Sequence, residues 1–167
     1  TTHLSQAQSN NTIKWLTWEE AVAAHEKKPK KIFIDVYTDW CGWCKKMDAT
    51  TFKNPYIVKY MNKHFYPVKL DAERTDTVYL EGKMYINPNP GARRSSHELA
   101  VSLLQGKMSY PSYVFLNEKN EWLTRVPGYI KPKAFEPVIR FFGDGDYLNQ
   151  SWEEYTKTFK GYIVDEE

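Results

Sequence analysis

The sequence is poor in cysteine, in net charge and in long apolar segments, and each shortage excludes a class of protein. Only two of the 167 residues are cysteines, which excludes a scaffold of several disulfides and a zinc site built from four cysteines. The formal net charge is +2, so the overall charge gives no electrostatic reason to expect binding to nucleic acid or to an anionic membrane. No apolar run approaches the roughly 18 residues of a membrane span, so we expect no direct membrane insertion.

The remaining composition is that of a folded domain. Apolar residues make up 41% of the chain and aromatic residues 16%, which is enough to bury a core within one domain. The four histidines lack the close paired spacing of a zinc-finger site, so no metal site is predicted. Residues 1–12 are polar and without periodicity, and they predict a flexible leader without the apolar region of a signal peptide.

Helix and strand signals alternate along the chain. A capping box at Thr17 and Glu20 predicts a helix to about Lys28. Residues 31–37 form a nearly continuous apolar run, which is typical of a central strand covered on both faces. Further helices are predicted at 45–50 and from Asn54 onward. A capping box at Ser95 and Glu98 predicts a helix that ends at Gly106. Two more helices are predicted, one at 131–142, which Pro137 should kink or delay, and one from Ser151 to about Gly161. Further strands are predicted at 65–70, 77–80, 83–86, 112–116 and 121–126.

This order of elements predicts an α/β fold. The early strand–helix–strand unit implies a right-handed parallel crossover, and the later strand–turn–strand unit implies an antiparallel hairpin. We therefore predict a mixed central sheet with helices on both faces, followed by a C-terminal helical extension.

The two cysteines form the motif Cys41-Gly42-Trp43-Cys44 between a predicted buried strand and a helix. The free N–H groups and the dipole of the helix N-terminus favour a negative charge on the Cys41 sulfur. Cys44, one turn later, should be more buried and should resolve a mixed disulfide formed by Cys41. A static disulfide is the weaker explanation, because the stabilisation from so short a loop is small. The pair therefore predicts thiol–disulfide exchange with the Cys41–Cys44 disulfide as the redox group and no other cofactor.

The segment from Trp40 to Lys45 resembles the active-site motif of the thioredoxin superfamily, and the resemblance covers roughly residues 15–142. It is closest to the thioredoxin-like proteins of bacterial envelopes, including soluble domains that carry electrons in disulfide reduction. The resemblance implies a thioredoxin-like domain at 13–143 with an insertion around 74–94, and an additional helical extension at 144–167. The insertion is either a lid or partner-recognition element, or a solvated decoration. The extension either packs on the domain or forms a dimer contact.

The resemblance also implies roles for two charged residues. Asp35 matches a carboxylate that sits beneath the cysteines, where burial raises its pKa and lets it act as a base for Cys44. The alternative is a carboxylate at the end of a strand, facing solvent. Lys69 matches the lysine that neighbours this carboxylate, and its alternative is an ordinary lysine on an edge strand.

A second group of positions is implied to bind substrate. Pro111 matches the cis-proline that faces the cysteine pair, although an ordinary trans-proline at a strand start is the alternative. Tyr110 would flank the sulfurs, and Gly128 matches a glycine near the substrate groove. Trp40 and Trp43 bracket the site and offer an apolar platform for a peptide, with Trp43 expected to be the more exposed. The predicted substrate-binding residues are thus Trp40, Gly42, Trp43, Tyr110, Pro111 and Gly128.

The prediction for function is a thiol–disulfide oxidoreductase that reduces disulfides in other proteins and is recharged by a separate electron donor, possibly membrane-bound. The same site could serve a disulfide oxidase or isomerase, because thioredoxin-fold potentials run from about −270 to −120 mV, and Gly42-Trp43 departs from the Gly-Pro of thioredoxin. A non-catalytic peptide-binding module with a vestigial disulfide is a third alternative. A chain whose only cysteines are the active pair suits an oxidising compartment, so we predict an extracytoplasmic location in a bacterial periplasm, with the cytoplasm as the alternative.

Overall fold

The computed structural model describes residues 11–164, so most of the predicted leader and the last three residues lie outside the described residues. Within this range the helices are α1 (Trp18–Lys27), α2 (Gly42–Ala49), α3 (Pro55–His64), α4 (Glu98–Leu104), α5 (Pro132–Gly143) and α6 (Trp152–Thr158). The strands are β1 (Ile32–Tyr37), β2 (Tyr66–Asp71), β3 (Val78–Leu80), β4 (Lys83–Tyr85), β5 (Ser112–Leu116) and β6 (Trp122–Pro127). Short 3-10 turns lie at Thr51–Lys53 and Asp146–Leu148.

Four strands form one mixed sheet in the order β2-β1-β5-β6. Strands β1 and β2 are parallel, whereas β5 runs antiparallel to both β1 and β6. Since β1 has a neighbour on each side, its residues are buried along nearly the whole strand, which explains its continuous apolar run. The predicted mixed sheet is confirmed.

The two faces of the sheet carry separate apolar clusters, because side chains alternate along each strand. Phe33 points into the first cluster, where its ring contacts six other aromatic rings, with Phe115 at 5.2 Å and Phe135 at 6.0 Å between centroids. Ile34 and Val36 point into the second cluster. The first cluster includes residues of α3 and α5 and the second includes residues of α1 and α4, so the predicted cover of helices on both faces is also confirmed.

The segment 74–94 carries the β3–β4 hairpin, which is attached to the body at some points and exposed at others. Val78 is buried, and the buried side chain of Asn87 donates hydrogen bonds to the carbonyl oxygens of Arg74 and Ser95. Tyr79 and Met84 on the hairpin are exposed. The segment is therefore a folded element that presents two large apolar side chains to solvent.

The predicted N-terminal cap of α4 differs from the structure. The capping box at Ser95 and Glu98 is wrong: the Ser95 hydroxyl bonds to the side chain of Asn87, and His97 caps α4 by accepting from the N–H of Leu99. The Glu98 carboxylate is also occupied elsewhere, since it accepts from a backbone N–H of the hairpin segment. The sequence pattern failed because tertiary hydrogen bonds took both side chains of the expected box.

The C-terminal helices keep their predicted places, with two adjustments. Pro137 lies inside α5 and does not delay its start, which falls at Pro132. The last helix, α6, begins with the predicted capping box at Ser151 and ends at Thr158, before the predicted Gly161. Tyr155 of α6 is buried and its ring lies 5.0 Å from that of Phe141, so α6 packs on the body of the domain.

Candidate functional site

The cysteine pair lies where β1 gives way to α2. Strand β1 ends at Tyr37, and Cys41 is the N-cap of α2. Its sulfur accepts a hydrogen bond from the backbone N–H of Cys44 at 3.1 Å. The two sulfurs form a disulfide, with the Cα atoms 5.3 Å apart. The structure thus places the Cys41 sulfur against the free N–H groups of a helix N-terminus, which favours negative charge on it.

The two tryptophans that flank the disulfide are about equally exposed, whereas both cysteines are buried. Cys41 and Cys44 are 5% and 3% exposed, so Cys44 is hardly more buried than Cys41 because the disulfide holds both sulfurs in one environment. Trp40 and Trp43 are 53% and 57% exposed, so the expected greater exposure of Trp43 is slight. Gly42 is exposed between them. The disulfide is therefore a shielded group between two exposed indole rings.

The Trp40 flank is fixed by residues from three other segments. The Trp40 indole N–H donates to Glu73 Oε1 at 2.7 Å, and its ring meets the Tyr110 ring edge-to-face at 5.8 Å. The Arg94 guanidinium lies over the same indole, 5.6 Å from the ring centre. These side chains line a depression beside the disulfide together with Ser96 and Met108. Sequence reasoning missed Glu73 and Arg94, which no motif marks.

The Trp43 flank is an aromatic stack covered by a cation. Trp43 stacks on Tyr129 with 5.6 Å between ring centres, and Lys46 Nζ lies 5.2 Å and 5.1 Å from the two rings. The hydroxyls of Tyr129 and Thr50 are 3.1 Å apart. Sequence reasoning also missed Tyr129, although its position directly after Gly128 was a usable signal.

The register of the sheet places Pro111 and Gly128 close to the start of α2. Val36 near the end of β1 is paired with Ser112, and Ser112 is paired with Pro127. Pro111 and Gly128 directly adjoin Ser112 and Pro127, so they lie at the end of the strands where α2 begins. The peptide bond between Tyr110 and Pro111 is cis. The N–H of Gly128 donates to the Pro111 carbonyl at 2.8 Å, and Gly128 has a φ of +95°, which favours glycine.

A cluster of three charged side chains joins β1, β2 and α2, with Asp35 as its buried member. Asp35 is 1% exposed, so it does not face solvent. In the register of β1 and β2, Asp35 is paired with Lys69, whose Nζ donates to carboxylate oxygens of both Asp35 and Asp48 at 2.5 Å. Lys69 does lie on an edge strand, but its side chain is largely buried, with Nζ 4.9 Å from the centre of the Trp15 ring.

Burial controls the titration of this cluster. Burial raises the pKa of Asp35 to about 6, against the opposing charge of Lys69, and the nearby Asp48 raises it further. Burial opposes the charge on Lys69, but the two carboxylates raise its pKa overall. The second Asp35 oxygen and the Tyr113 hydroxyl are buried and have no hydrogen-bond partner within residues 11–164. A carboxyl group in this state can exchange a proton near neutral pH.

Asp48 is the member of the cluster that sequence reasoning missed. It lies on α2 four residues after Cys44, so it follows Cys44 on one face of the helix. That spacing was the available signal. Its contact with Lys69 depends on the packing of α2 against the sheet, which the spacing alone does not determine.

Residues 11–164 contain neither a metal-binding cluster nor a membrane-spanning helix. No group of three or more histidine, cysteine, aspartate or glutamate side chains in that range could hold a metal ion. None of the helices in the described part of the chain has the length and hydropathy needed to cross a membrane.

Two known proteins are similar in sequence to part or most of this chain. Rat (Rattus norvegicus) spermatogenesis-associated protein 20 is 33% identical over 76 residues, which cover 43% of this chain and 10% of that protein. The thiol:disulfide interchange protein DsbD of Escherichia coli K12 is 24% identical over 143 residues, or 83% of this chain and 22% of DsbD. The chain thus spans less than a quarter of the length of either relative.

The fold and the family follow from two further matches. The solution structure of a thioredoxin from Thermus thermophilus superposes with a TM-score of 0.58 at 14% identity, covering 84% of this chain and 98% of that one. The family model Thioredox_DsbH, described as a protein of unknown function (DUF255), matches residues 1–160. Since that match takes in nearly the whole chain, the chain belongs to the Thioredox_DsbH family, and its fold is thioredoxin-like.

Proposed function

We propose that this protein reduces disulfide bonds in other proteins by exchange at Cys41 and Cys44. The observation that carries the proposal is the position of the Cys41 sulfur at the N-cap of α2, with the Cys44 N–H donating to it at 3.1 Å. A thiolate in this position is stabilised by the helix N-terminus and remains the attacking group at neutral pH. The Cys41–Cys44 pair is itself the redox group of the proposal.

In the first step the reduced protein attacks a substrate disulfide. The Cys41 thiolate forms a bond to one substrate sulfur, and the bond between the two substrate sulfurs breaks. The other substrate sulfur leaves as a thiolate and takes a proton from solvent. The product is a mixed disulfide between Cys41 and the substrate.

In the second step Cys44 resolves the mixed disulfide. We assign Asp35 as the base, because its pKa of about 6 allows it to accept the Cys44 proton near neutral pH. The Cys44 thiolate attacks Cys41, and the bond between Cys41 and the substrate sulfur breaks. The substrate leaves with two electrons more than it had, and the Cys41–Cys44 disulfide is formed. Lys69 positions Asp35 and offsets its charge.

Substrate is proposed to lie between the two flanks of the disulfide. Trp40 and Tyr110 bound one side and Trp43 bounds the other. The Pro111 carbonyl already accepts from the Gly128 N–H, so an extended substrate chain is proposed to pair with the backbone of Tyr110, just before the cis-proline. This arrangement favours an extended segment of polypeptide over a small disulfide.

The proposal places the protein in an oxidising compartment, the bacterial periplasm, with a separate membrane-bound dithiol protein as its electron donor. The support is that its two cysteines are both used in the active pair, which leaves no other thiol to mispair there. The likeness to DsbD, whose name states thiol:disulfide interchange, agrees with such an exchange partner. Cell fractionation tests the location directly, and recovery of the protein in the cytoplasm alone would contradict it.

The redox equilibrium of Cys41–Cys44 in glutathione and dithiothreitol buffers tests the direction. A potential near −270 mV, about that of thioredoxin, supports a reductase, whereas one near −120 mV would make the protein a disulfide donor. Cys44→Ser should trap mixed disulfides with partner proteins through Cys41. The matched variant Cys41→Ser keeps one thiol but removes the attacking one, and should trap none. A pair that exchanges with neither buffer would end the enzyme proposal.

A further inference from the structure

The nearly neutral chain carries a one-sided distribution of charge beside its disulfide. Two grooves adjoin each other around the start of α3, where Lys53 and Pro55 line both of them. Their volumes are about 710 and 520 Å³. The lysines that line them are Lys14, Lys53, Lys59, Lys63, Lys131 and Lys133, hereafter the basic face. No aspartate or glutamate of the described chain lines either groove.

The positive charge of five of these six lysines is available to a partner. Lys14, Lys53, Lys59, Lys63 and Lys131 are exposed and have no ion pair with any residue that the structure describes. On α3 the spacing of Lys59 and Lys63 places both on one side of the helix. Several like charges along a concave surface create a positive potential that attracts an anionic ligand.

The basic face is continuous with the active site. Tyr129 lines one of the grooves and stacks on Trp43 next to Cys44. Lys46 lies over both rings and continues the line of positive charge to the disulfide. A polypeptide with its disulfide at Cys41 therefore has a direct path along the Trp43 flank into the grooves.

The opposite flank has a different charge character. Glu73 holds Trp40 there, and Arg94 covers the indole. Burial raises the pKa of Asp71 on this flank, and the nearby negative charges of Asp39 and Glu73 add to that rise. The Trp40 flank thus carries charges of both signs. The grooves beyond Trp43 are lined by lysines and by no carboxylate of the described residues, which gives an acidic partner a preferred direction across the disulfide.

We infer that the basic face docks an acidic segment of the protein that exchanges disulfides at Cys41–Cys44, an inference that rests on the proposed function. The partner carries aspartates or glutamates on one side of its reactive cysteine, and these enter the grooves past Tyr129. Concave grooves fit an extended acidic chain better than a flat layer of lipid headgroups. Charges at the rim of such a contact mainly raise the association rate and make it sensitive to salt.

Two disulfide-bonded peptides that differ only in charge test the inference. One carries glutamates beside the cysteine and the other carries lysines in the same places, and the reduced protein is mixed with each while indole fluorescence is followed. We expect the second-order rate constant of this exchange to be about tenfold higher for the acidic peptide at low salt. The preference should nearly vanish in 1 M salt, where the Debye length is about 3 Å.

Charge reversal locates the effect on the surface. The double variant Lys53→Glu with Lys131→Glu should lower the second-order rate constant for the acidic peptide about five- to tenfold. Lys119→Glu is the matched control, because Lys119 is exposed in the turn after β5, at the end of the sheet away from α2, and it should keep the wild-type preference. Thermal unfolding checks the folding of each variant, and Lys53→Gln with Lys131→Gln replaces the double variant if reversal prevents folding.

The outcomes separate the inference from the function beneath it. Equal rates for the two peptides in the wild type overturn the basic face as a docking surface and leave the reductase standing. No reduction of either peptide overturns the proposed function, and the inference falls with it. Equal peptide rates together with lysine-dependent sedimentation on phosphatidylglycerol vesicles would assign the basic face to a membrane surface and overturn the acidic protein partner.

Discussion

Replacing Asp35 with asparagine should stabilise the oxidised protein at pH 7. Burial raises the pKa of this carboxyl from its usual 3.8 to about 6, so the folded protein holds an ionised group that its environment disfavours. Each pKa unit corresponds to about 1.4 kcal/mol. The difference of roughly two units means that ionised Asp35 lowers the free energy of unfolding at pH 7 by about 3 kcal/mol. Asparagine keeps the shape of the side chain and removes this cost.

The pH dependence gives the sign of the effect. Because the folded-state pKa lies above the unfolded value, the folded protein binds the Asp35 proton more tightly. The contribution of Asp35 to stability is therefore greatest below pH 3.8 and is lost as pH rises through about 6. At pH 4 the carboxyl is protonated in the folded protein, and the gap between Asp35→Asn and wild type should fall below about 1 kcal/mol.

Urea unfolding with the disulfide intact measures both values. Wild type and Asp35→Asn are compared at pH 7 and pH 4, and Asp39→Asn serves as the control because Asp39 is exposed four residues further along. The control should shift neither curve by more than about 0.5 kcal/mol. A gap for Asp35→Asn that is absent at pH 7, or that is the same at both pH values, would refute the assignment of a strained ionised carboxylate. The variant should also resolve mixed disulfides more slowly, since it has no base at this position.

Three further changes test neighbouring contacts. Asp48→Asn should lower the pKa of Asp35, because the charge of Asp48 raises it. The acidic limb of the pH–rate profile should therefore move to lower pH, and Asp48→Glu should return it to the wild-type position. An acidic limb that does not move in Asp48→Asn would remove Asp48 from the cluster. Glu136→Gln should weaken the hydrogen bonds that the buried carboxylate accepts from the N–H groups of Tyr162 and Ile163, at a cost of about 1 to 2 kcal/mol. Amide exchange should become faster in that segment alone, and unchanged exchange would contradict the prediction. Tyr155→Ala should cost about 3 kcal/mol in urea unfolding, whereas a loss under 1 kcal/mol would mean that α6 contributes little packing.

The elements predicted best from the sequence are those with local causes. The run at β1 is apolar because the strand has neighbours on both sides and helices on both faces. The capping boxes at Thr17 and Ser151 form within four residues and need nothing else. The similar pattern at Ser95 failed because Asn87, eight residues away, bonds to its hydroxyl. Local patterns were reliable where no tertiary partner competed for the same side chain.

The electrostatics of the site depend on packing that no local pattern reveals. Tyr129, Glu73 and Arg94 come to the disulfide from separate loops, and each is an ordinary residue in its own segment. Asp48 looks like a solvent-facing residue of a short helix, and its side chain is indeed 47% exposed. Its effect arises because Lys69 reaches it from a strand 21 residues away.

The contact between Lys69 and Asp35 is in turn fixed by apolar residues on the other face of the sheet. Val68 and Leu70 flank Lys69 on β2 and are both buried in the second apolar cluster. A slip of β2 by one residue against β1 would expose these two side chains to the wrong face and turn Lys69 away from Asp35. Burying two such side chains is worth about 3 to 6 kcal/mol, more than the roughly 1.5 to 3 kcal/mol of a hydrogen bond to a charged group. The register, and with it the charge environment of the base assigned to Cys44, is therefore set by hydrophobic packing on the opposite face of the sheet from Asp35.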